Sequence, residues 1–314
     1  MNVTVIIPTY NRADILAKTL EAYAAQLGEH RICEILVVDD GSTDHTRSAV
    51  EKASESCRRT RYLRQSNLGL AAARNHGIRE AAGDVLLFGD DDIIPSPRLA
   101  AEHVAWQDRY PEGICGVLGH VAWWPDVRPT PFMKWEGLYG PQFNYGCFEH
   151  GQELSYEFGY CCNWSVHASF LRKSGIFSER FRTYGYEDIE LAYRLSKKGY
   201  RHFYNRDAIG YHNKFETCAD ALRRIDKLYR SWPEFAKTEA GQDFLEKWRS
   251  TKSRSKRGLS RRMLAPLKPF AVRLLRPLMD TRIPLPRWTY DQVFYHYVTS
   301  FADIVEEQGN VAKA

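Results

Sequence analysis

The sequence predicts an α/β fold: a mainly parallel central sheet flanked by helices, followed by a basic helical C-terminal extension. Three observations predict it. Short β-branched apolar runs alternate with amphipathic helical stretches through the N-terminal third. Polar motifs follow the strand ends, at Pro8-Thr9-Tyr10-Asn11-Arg12, Asp39-Asp40-Gly41-Ser42 and Asp90-Asp91-Asp92. Charge is divided unevenly: residues 247–287 hold 13 Lys or Arg and one acid, a net of +12 in a chain totalling +5, which leaves −7 for the remainder.

Val3 to Pro8 is a continuous apolar run and reads as a buried strand. Ala13 to Gln26 places Ile15, Leu16, Thr19, Leu20 and Tyr23 at helical spacing. Glu34 to Val38 is a second strand, after which Thr43 or Asp44 can cap a helix. Tyr62 to Arg64 is a short third strand, and the Ala-rich Leu70 to Ala82 is helical, stopped by Gly83. Asp84 to Phe88 is a fourth strand. Beyond Pro97 a helix spans Leu99 to Arg109 and a strand Cys115 to Trp124, whereas residues 125–158, rich in Pro, Gly and aromatics, lack a period and read as a functional loop. Asn163 to His167 is a strand followed by a short helix from Ala168. Helices are expected over Glu187 to Lys198 and Glu216 to Arg230, with a last strand at Ala208 to His212. The expected domains are 1–230, divided into halves 1–95 and 96–230, and an extension over 231–314. In parallel sheets of this kind ligands sit beyond the carboxyl ends of the strands, so the three polar motifs should share one edge.

Composition narrows the class. With 44% hydrophobic and 26% charged residues over 314 positions, most of the chain should be globular. No run of about 18 apolar residues suggests a membrane span, and Met1-Asn2 leads into a strand without a basic signal-peptide region. The seven cysteines follow no zinc or redox spacing, and Cys161-Cys162 reads as buried packing. A reducing cytoplasm is expected.

Four constellations carry chemistry. Three adjacent carboxylates, Asp90, Asp91 and Asp92, repel one another unless a cation or donors compensate them, and all-oxygen ligands suit Mg²⁺ or Mn²⁺ with phosphate completing the shell. A solvated acidic loop is the alternative. Glu187-Asp188 opens a helix after Tyr184-Gly185-Tyr186, where the helix N-terminus favours an ionised base; an ordinary first-turn acid pair fits equally. His212 ends a strand, as a ligand or as a packed histidine. Asn67-Leu68-Gly69 and the helix it begins permit close approach of a ligand to backbone N–H groups, and Arg74 suits phosphate or carboxylate; an Ala-rich helix packed on the sheet explains the alanines equally well.

Taken in order, these pieces resemble the inverting family 2 glycosyltransferases, whose catalytic domain has the nucleotide-sugar-binding GT-A fold. The resemblance runs from Val3 to His212, through Val5-Ile6-Ile7-Pro8-Thr9-Tyr10-Asn11-Arg12, Val37-Val38-Asp39-Asp40-Gly41-Ser42, Asn67-Leu68-Gly69 with Ala73-Arg74-Asn75, Asp90-Asp91-Asp92 and Gly185-Tyr186-Glu187-Asp188. It implies a nucleotide-sugar donor, UDP-linked for preference. Thr9 and Asp40 would hold the base with Asp39 and Arg12 nearby, and Pro8, Tyr10, Asn67, Gly69, Arg74 and Asp91 would complete the donor wall. Asp90 would face the ribose, and Asp92 with His212 would bind Mn²⁺ or Mg²⁺. Asp188 would be the base with Glu187 beside it, and Asn163, Trp164 and Tyr186 would meet a glycan or lipid-linked acceptor. The sequence departs from the family pattern at Ser178 in Phe177-Ser178-Glu179, which puts one loop hydrogen bond in doubt, and at Gly89 before the aspartates. No Gln-x-x-Arg-Trp occurs, which argues for transfer of single sugars. Aromatic loops around Trp123-Trp124, Trp135 and Trp164 are expected to shape the sugar pocket.

Residues 247–287 mix Arg and Lys with Leu, Met and Phe, and Pro266, Pro269, Pro277 and Pro284 limit any helix to short pieces. They suit either peripheral contact with an anionic membrane at the inner face of the cell, or a basic helical subdomain. No nucleic-acid module accompanies the charge. The reading of a different class is a catalytically degenerate nucleotide-sugar-binding scaffold. A nucleotidyltransferase would need a Gly-rich phosphate loop after the first strand, and Pro8-Thr9-Tyr10-Asn11-Arg12 is not one.

Overall fold

A computed structural model describes residues 1–26, 32–110, 112–140, 143–255 and 268–294. Two compact units emerge: Met1–Val127 with Phe148–Lys214, and Arg128–Cys147 with Phe215–Ala314. The boundary expected at 230 falls inside a helix, Cys218–Ala236, which belongs wholly to the second unit.

The first unit is built on one nine-stranded sheet. Its strands are β1 (Val3–Thr9), β2 (Ile32–Asp39), β3 (Thr60–Arg64), β4 (Val85–Gly89), β5 (Ile93–Pro95), β6 (Cys115–Trp123), β7 (Glu153–Leu154), β8 (Asn163–His167) and β9 (Arg201–His212). The order is β3-β2-β1-β4-β8-β6-β9-β5, with β7 also on β9. β3, β2, β1 and β4 run parallel, as expected. Beyond β4 the sheet is mixed: β8 is antiparallel to β4 and β6, and β5 and β7 are antiparallel to β9, while β6 and β9 are parallel. The expectation of a mainly parallel sheet therefore holds for the N-terminal half alone. A buried apolar run looks the same in either direction, so periodicity does not report it.

Both faces of the sheet are covered. Every residue of β1 is buried. On one face Ile6, Leu36, Phe88 and Trp164 pack with Ala71 and Ala73 of α3 (Leu70–Glu80), Leu171 of α6 (Ala168–Ser174) and Leu191 and Leu195 of α7 (Glu187–Ser196). On the other, Val5, Ile7, Val37 and Leu87 pack with Leu16 and Leu20 of α1 (Ala13–Ala24), Val50 of α2 (Thr46–Ser56) and Leu99 of α4 (Leu99–Gln107). The helices form because their apolar positions recur every three or four residues; α1 buries Ala13, Leu16, Thr19, Leu20 and Tyr23 in that pattern. Gly89 is explained by α1: a Cβ there would lie 2.9 Å from the Tyr23 hydroxyl.

Residues 125–158 are less irregular than expected. They contain α5 (Pro131–Tyr139), whose start is legible in retrospect. Thr130 caps it by accepting from Met133 N at 3.2 Å, and Pro131 takes a first-turn position that needs no N–H.

In the second unit, α8 (Cys218–Ala236) opens with a capping box of Thr217 and Asp220 and passes through Pro233, because Trp232 and Phe235 anchor its far end in the core. α9 (Glu239–Ser255) and α10 (Lys268–Met279) follow. Proline limits these helices less than expected, since Pro269 lies in the first turn of α10 and Pro277 in its last. Residues 256–267 of the basic stretch lie outside the described residues. Trp135, expected at the sugar pocket, instead packs among Phe132, Tyr290 and Phe294 and donates to Asp291 Oδ1 at 2.9 Å.

Candidate active site

The carboxyl ends of β1, β2 and β4 carry the motifs to one edge, because Thr9 is in register with Asp39 and Ile6 with Phe88. Each motif is first held by its own hydrogen bonds. Asn11, in the left-handed region at φ 53°, bonds from N to Ser42 Oγ at 2.8 Å, and its Oδ1 accepts from Thr43 N at 2.7 Å. Asp39 accepts from Ser42 N at 2.7 Å and from the Tyr62 hydroxyl. Asp40 accepts from Gln65 Nε2, Leu68 N and Gly69 N within 2.9 Å, which closes the Asn67-Leu68-Gly69 turn against the end of β2. Both aspartates, expected at the base, hold the loops that follow β2 and β3. Tyr62 and Gln65 escaped sequence reasoning because nothing in a short half-buried strand marks a residue that serves a neighbouring strand's carboxylate.

The three adjacent aspartates have different surroundings, although Arg12 bridges Asp91 and Asp92. Asp91 is turned inward: Oδ2 accepts from Thr9 Oγ1 at 2.8 Å, Oδ1 meets Arg12 Nη1 at 2.7 Å, and its carbonyl accepts from Thr19 Oγ1 at 2.8 Å. Buried in this way, Asp91 and Thr9 tie β1 and α1 to the loop after β4. Thr19 had a signal, a polar residue at a core-facing helical position. Asp92 Oδ2 meets Arg12 Nη2 at 2.7 Å and His212 Nε2 at 3.2 Å. Burial acts to raise the Asp92 carboxyl, but His212 and then Arg12 outweigh it and hold it well below the usual carboxylate range. Burial raises Asp91 against the pull of Arg12. His212 is stacked on Trp123, ring centroids 5.2 Å apart at 9°.

Asp90, half-buried, reaches the other wall. Arg74 Nη2 lies 3.3 Å from Asp90 Oδ1 and Arg74 Nη1 lies 2.8 Å from Glu187 Oε1. Arg74 is therefore committed to carboxylates and not to phosphate, and its guanidinium also lies 5.5 Å from the Phe177 ring centroid. Glu187 Oε2 accepts from Gly185 N at 3.1 Å, so this side chain anchors the turn that starts α7. That turn needs two left-handed residues, Gly185 at φ 107° and Tyr186 at φ 69°. A non-glycine residue held there stores strain of about 1 kcal/mol. Asp188 follows, half-buried at the helix N-terminus. Burial first, and then the adjacent Glu187 charge, push its carboxyl up to about 7. The Phe177-Ser178-Glu179 loop is held on either side of Ser178: Asn75 Nδ2 donates to Phe177 O and Glu179 Oε1, both at 2.9 Å.

Two expected acceptor contacts belong to the core instead. Trp164 is 2% exposed, stacks on Phe88 at 5.2 Å and donates to the Tyr200 hydroxyl at 2.6 Å. Asn163 is 1% exposed and fully engaged with its neighbours. A buried aromatic and a site aromatic are identical in sequence. Tyr186, the third residue expected at the acceptor, is 7% exposed.

The glycosyl transferase family 2 model matches residues 4–162. The chain belongs to glycosyl transferase family 2. Among its relatives is validoxylamine A glucosyltransferase of Streptomyces hygroscopicus subsp. jinggangensis (strain 5008), 30% identical over 268 residues, which cover 73% of this chain and 61% of that protein. The enzyme of the same description from subsp. limoneus is covered over 56% of its length, so this family 2 chain spans about three-fifths of these curated relatives. Among solved structures it is similar to mannosyltransferase PcManGT from Pyrobaculum calidifontis in complex with GDP-Man and Mn2+, with a TM-score of 0.58 at 17% identity over 95% of this chain and 87% of that one. It is similar also to S. aureus TarS 1-349 in complex with UDP, with a TM-score of 0.55 at 20% identity over 98% of this chain and 92% of that one. These two likenesses concern the fold, which is the GT-A fold expected of the family.

Proposed function

We propose that this chain is an inverting, metal-dependent glycosyltransferase that moves one sugar from a nucleoside diphosphate donor, UDP-linked for preference, to a hydroxyl of a glycan or lipid-linked acceptor. The observation that carries the reading is the Asp90–Arg74–Glu187 bridge, which joins the loop after β4 to the N-terminus of α7. It sets the carboxylates of a donor wall and a raised, half-buried Asp188 around one guanidinium.

Asp188 would accept the acceptor hydroxyl proton as that oxygen attacks the anomeric carbon from the face opposite the diphosphate. The C–O bond forms, the anomeric carbon–phosphate oxygen bond breaks, and the configuration inverts in one displacement. A carboxylate whose pKa lies near 7 is better matched to this work than one at its ordinary value. Asp90, half-buried, would meet the ribose side of the donor, with exposed Tyr10 and Asn67 near the base.

The donor set fits a divalent cation shared with substrate. Asp92 Oδ2 and His212 Nε2 converge at 3.2 Å, a carboxylate with an imidazole, which suits Mn²⁺. Among the described residues no group of three or more His, Cys, Asp or Glu could hold a metal, so phosphate oxygens and water would supply the other positions. When bound, the metal would neutralise charge on the departing diphosphate. The test is a panel of nucleoside diphosphate sugars screened by thermal stabilisation with and without Mn²⁺. One donor should raise the Tm and be hydrolysed slowly; a panel without any response would overturn the reading. Asp92→Ala should abolish the Mn²⁺-dependent part of that stabilisation and leave the remainder, read by calorimetry.

Contact of residues 247–287 with an anionic membrane is supported by the second unit. Leu274, Leu278, Ile283 and Trp288 are exposed, Ile283 at 69% and Trp288 at 60%, with Arg276, Arg282 and Arg287 exposed between them. Among the described residues no helix is long and apolar enough to cross a membrane. The protein should co-sediment with phosphatidylglycerol vesicles and not with phosphatidylcholine vesicles. Ile283→Asp with Trp288→Asp should remove that binding.

A further inference from the structure

β9 contains three residues more than its partner requires. Up to Gly119↔Asn205 the parallel pairing of β6 and β9 is regular, and it resumes at His120↔Ile209, leaving Arg206, Asp207 and Ala208 as a bulge. Everything beyond depends on that bulge having this size. Trp123 comes opposite His212, and β5 pairs Ile93 with His212. A slip of one residue would turn His212 to the other face of the sheet and put Tyr211 or Asn213 toward Asp92.

Asn205 Oδ1 closes the bulge on itself by accepting from Asp207 N at 3.0 Å, and the side chain of Asn163 ties it to β6. Asn163 Nδ2 donates to His120 O at 3.1 Å, on β6 just past the interruption, and to Ala208 O at 2.8 Å, the last bulged residue of β9. Both acceptors are carbonyls, so the amide has one orientation only, and Oδ1 must accept. It does so from His103 Nε2 at 2.9 Å. The proton on Nε2 leaves His103 Nδ1 as an acceptor, filled by Ser165 Oγ at 2.9 Å, and Ser165 Oγ in turn accepts from Gln107 Nε2 at 3.0 Å. Burial keeps His103 neutral, pushing it down to about 4. Gly119 makes room, since a Cβ there would lie 2.2 Å from Asn163 Nδ2. The network is entirely inside the first unit and faces Gly89, the residue before Asp90.

We infer that Asn163, backed by His103, is a positioning residue that sets the register of β9 and thereby holds His212 against Asp92. The role of the Asp92–His212 pair in metal binding rests on the function proposed above; the clamp itself does not.

Two measurements separate the ideas. The Trp124 amide donates to His212 O at 3.0 Å and the Asn213 amide to Asp92 O at 2.8 Å, so both report the register. In Asn163→Ala, hydrogen exchange at these two amides should rise about tenfold or more, while amides of β1 and β2 stay unchanged. Mn²⁺ affinity in the presence of UDP should fall to that of His212→Ala, and the double variant should be no worse than His212→Ala alone. If Asn163→Ala does not fold, His103→Leu should show the same pattern more weakly, and His103→Gln, which can still donate to Asn163 Oδ1, should restore it. Unchanged exchange at Trp124 and Asn213 would overturn the clamp, as would losses that simply add in the double variant. Equal Mn²⁺ affinity in the wild type and His212→Ala would remove the metal reading, and the exchange result would then decide the clamp alone.

Discussion

Asp188→Asn should reduce sugar transfer about 10²–10⁴-fold, the usual contribution of a positioned general base, while nucleoside diphosphate binding is kept. Asparagine has the size of aspartate but cannot take a proton. The structure adds a second consequence. Because burial and Glu187 push Asp188 up to about 7 in the folded protein, the native state keeps this proton between about pH 4 and pH 7, where an unfolded Asp has lost it. Stability contributed by this group is present below pH 4 and falls as pH rises through that window. Asn carries no such dependence. The Tm of the variant relative to wild type should therefore be higher at pH 8 than at pH 5, by a few degrees at about 2–4 °C per kcal/mol. Transfer by the wild type should rise with pH through about 7. Normal turnover by the variant would end the base assignment, and a pH-independent Tm difference would show that Asp188 is not held above its ordinary range.

Arg74→Met should be the most destabilising single change in the site. The guanidinium is 4% exposed, and its removal leaves the Glu187 side chain, 5% exposed, without its arginine, and Asp90 without its tie. Removing one partner of a buried ion pair typically costs about 3–5 kcal/mol, which corresponds to a fall in Tm of about 10 °C. Activity should fall with it, because the N-terminus of α7 loses its link to the loop after β4. The pairing is testable by a cycle: Arg74→Met with Glu187→Gln should be more stable than Arg74→Met alone, since the uncompensated charge is gone. A loss below 1 kcal/mol in the single variant, or no recovery in the double, would show that the bridge does not hold the two walls.

Much of the first half of the fold was legible because local signals agreed. β-branched runs, Ala-rich and amphipathic helices, and polar turns after strands all pointed to parallel strands with motifs at their carboxyl ends, and β1 to β4 have that arrangement. The second half was less legible. β8 is buried throughout and runs antiparallel to its neighbours; the family resemblance put Asn163 at the acceptor and its aromatic face put Trp164 there, and neither signal distinguishes a packed residue from a binding one.

By itself the sequence singled out the candidate site residues: the carboxylates after β4, the acid pair at the start of α7, and a histidine at a strand end. Only the tertiary structure decided what each of them meets. Arg74 and Glu187 are separated by 113 positions and meet as a buried ion pair. Asp91 and Asp92 are adjacent, yet one faces the core and the other faces His212. His212 stands at Asp92 because a three-residue bulge shifts β9 and Asn163 holds the shift. The reason is physical. Local sequence encodes propensity and burial, which act over a few residues, whereas partner choice among charges and strand register is a competition between distant segments for the same buried donors and acceptors.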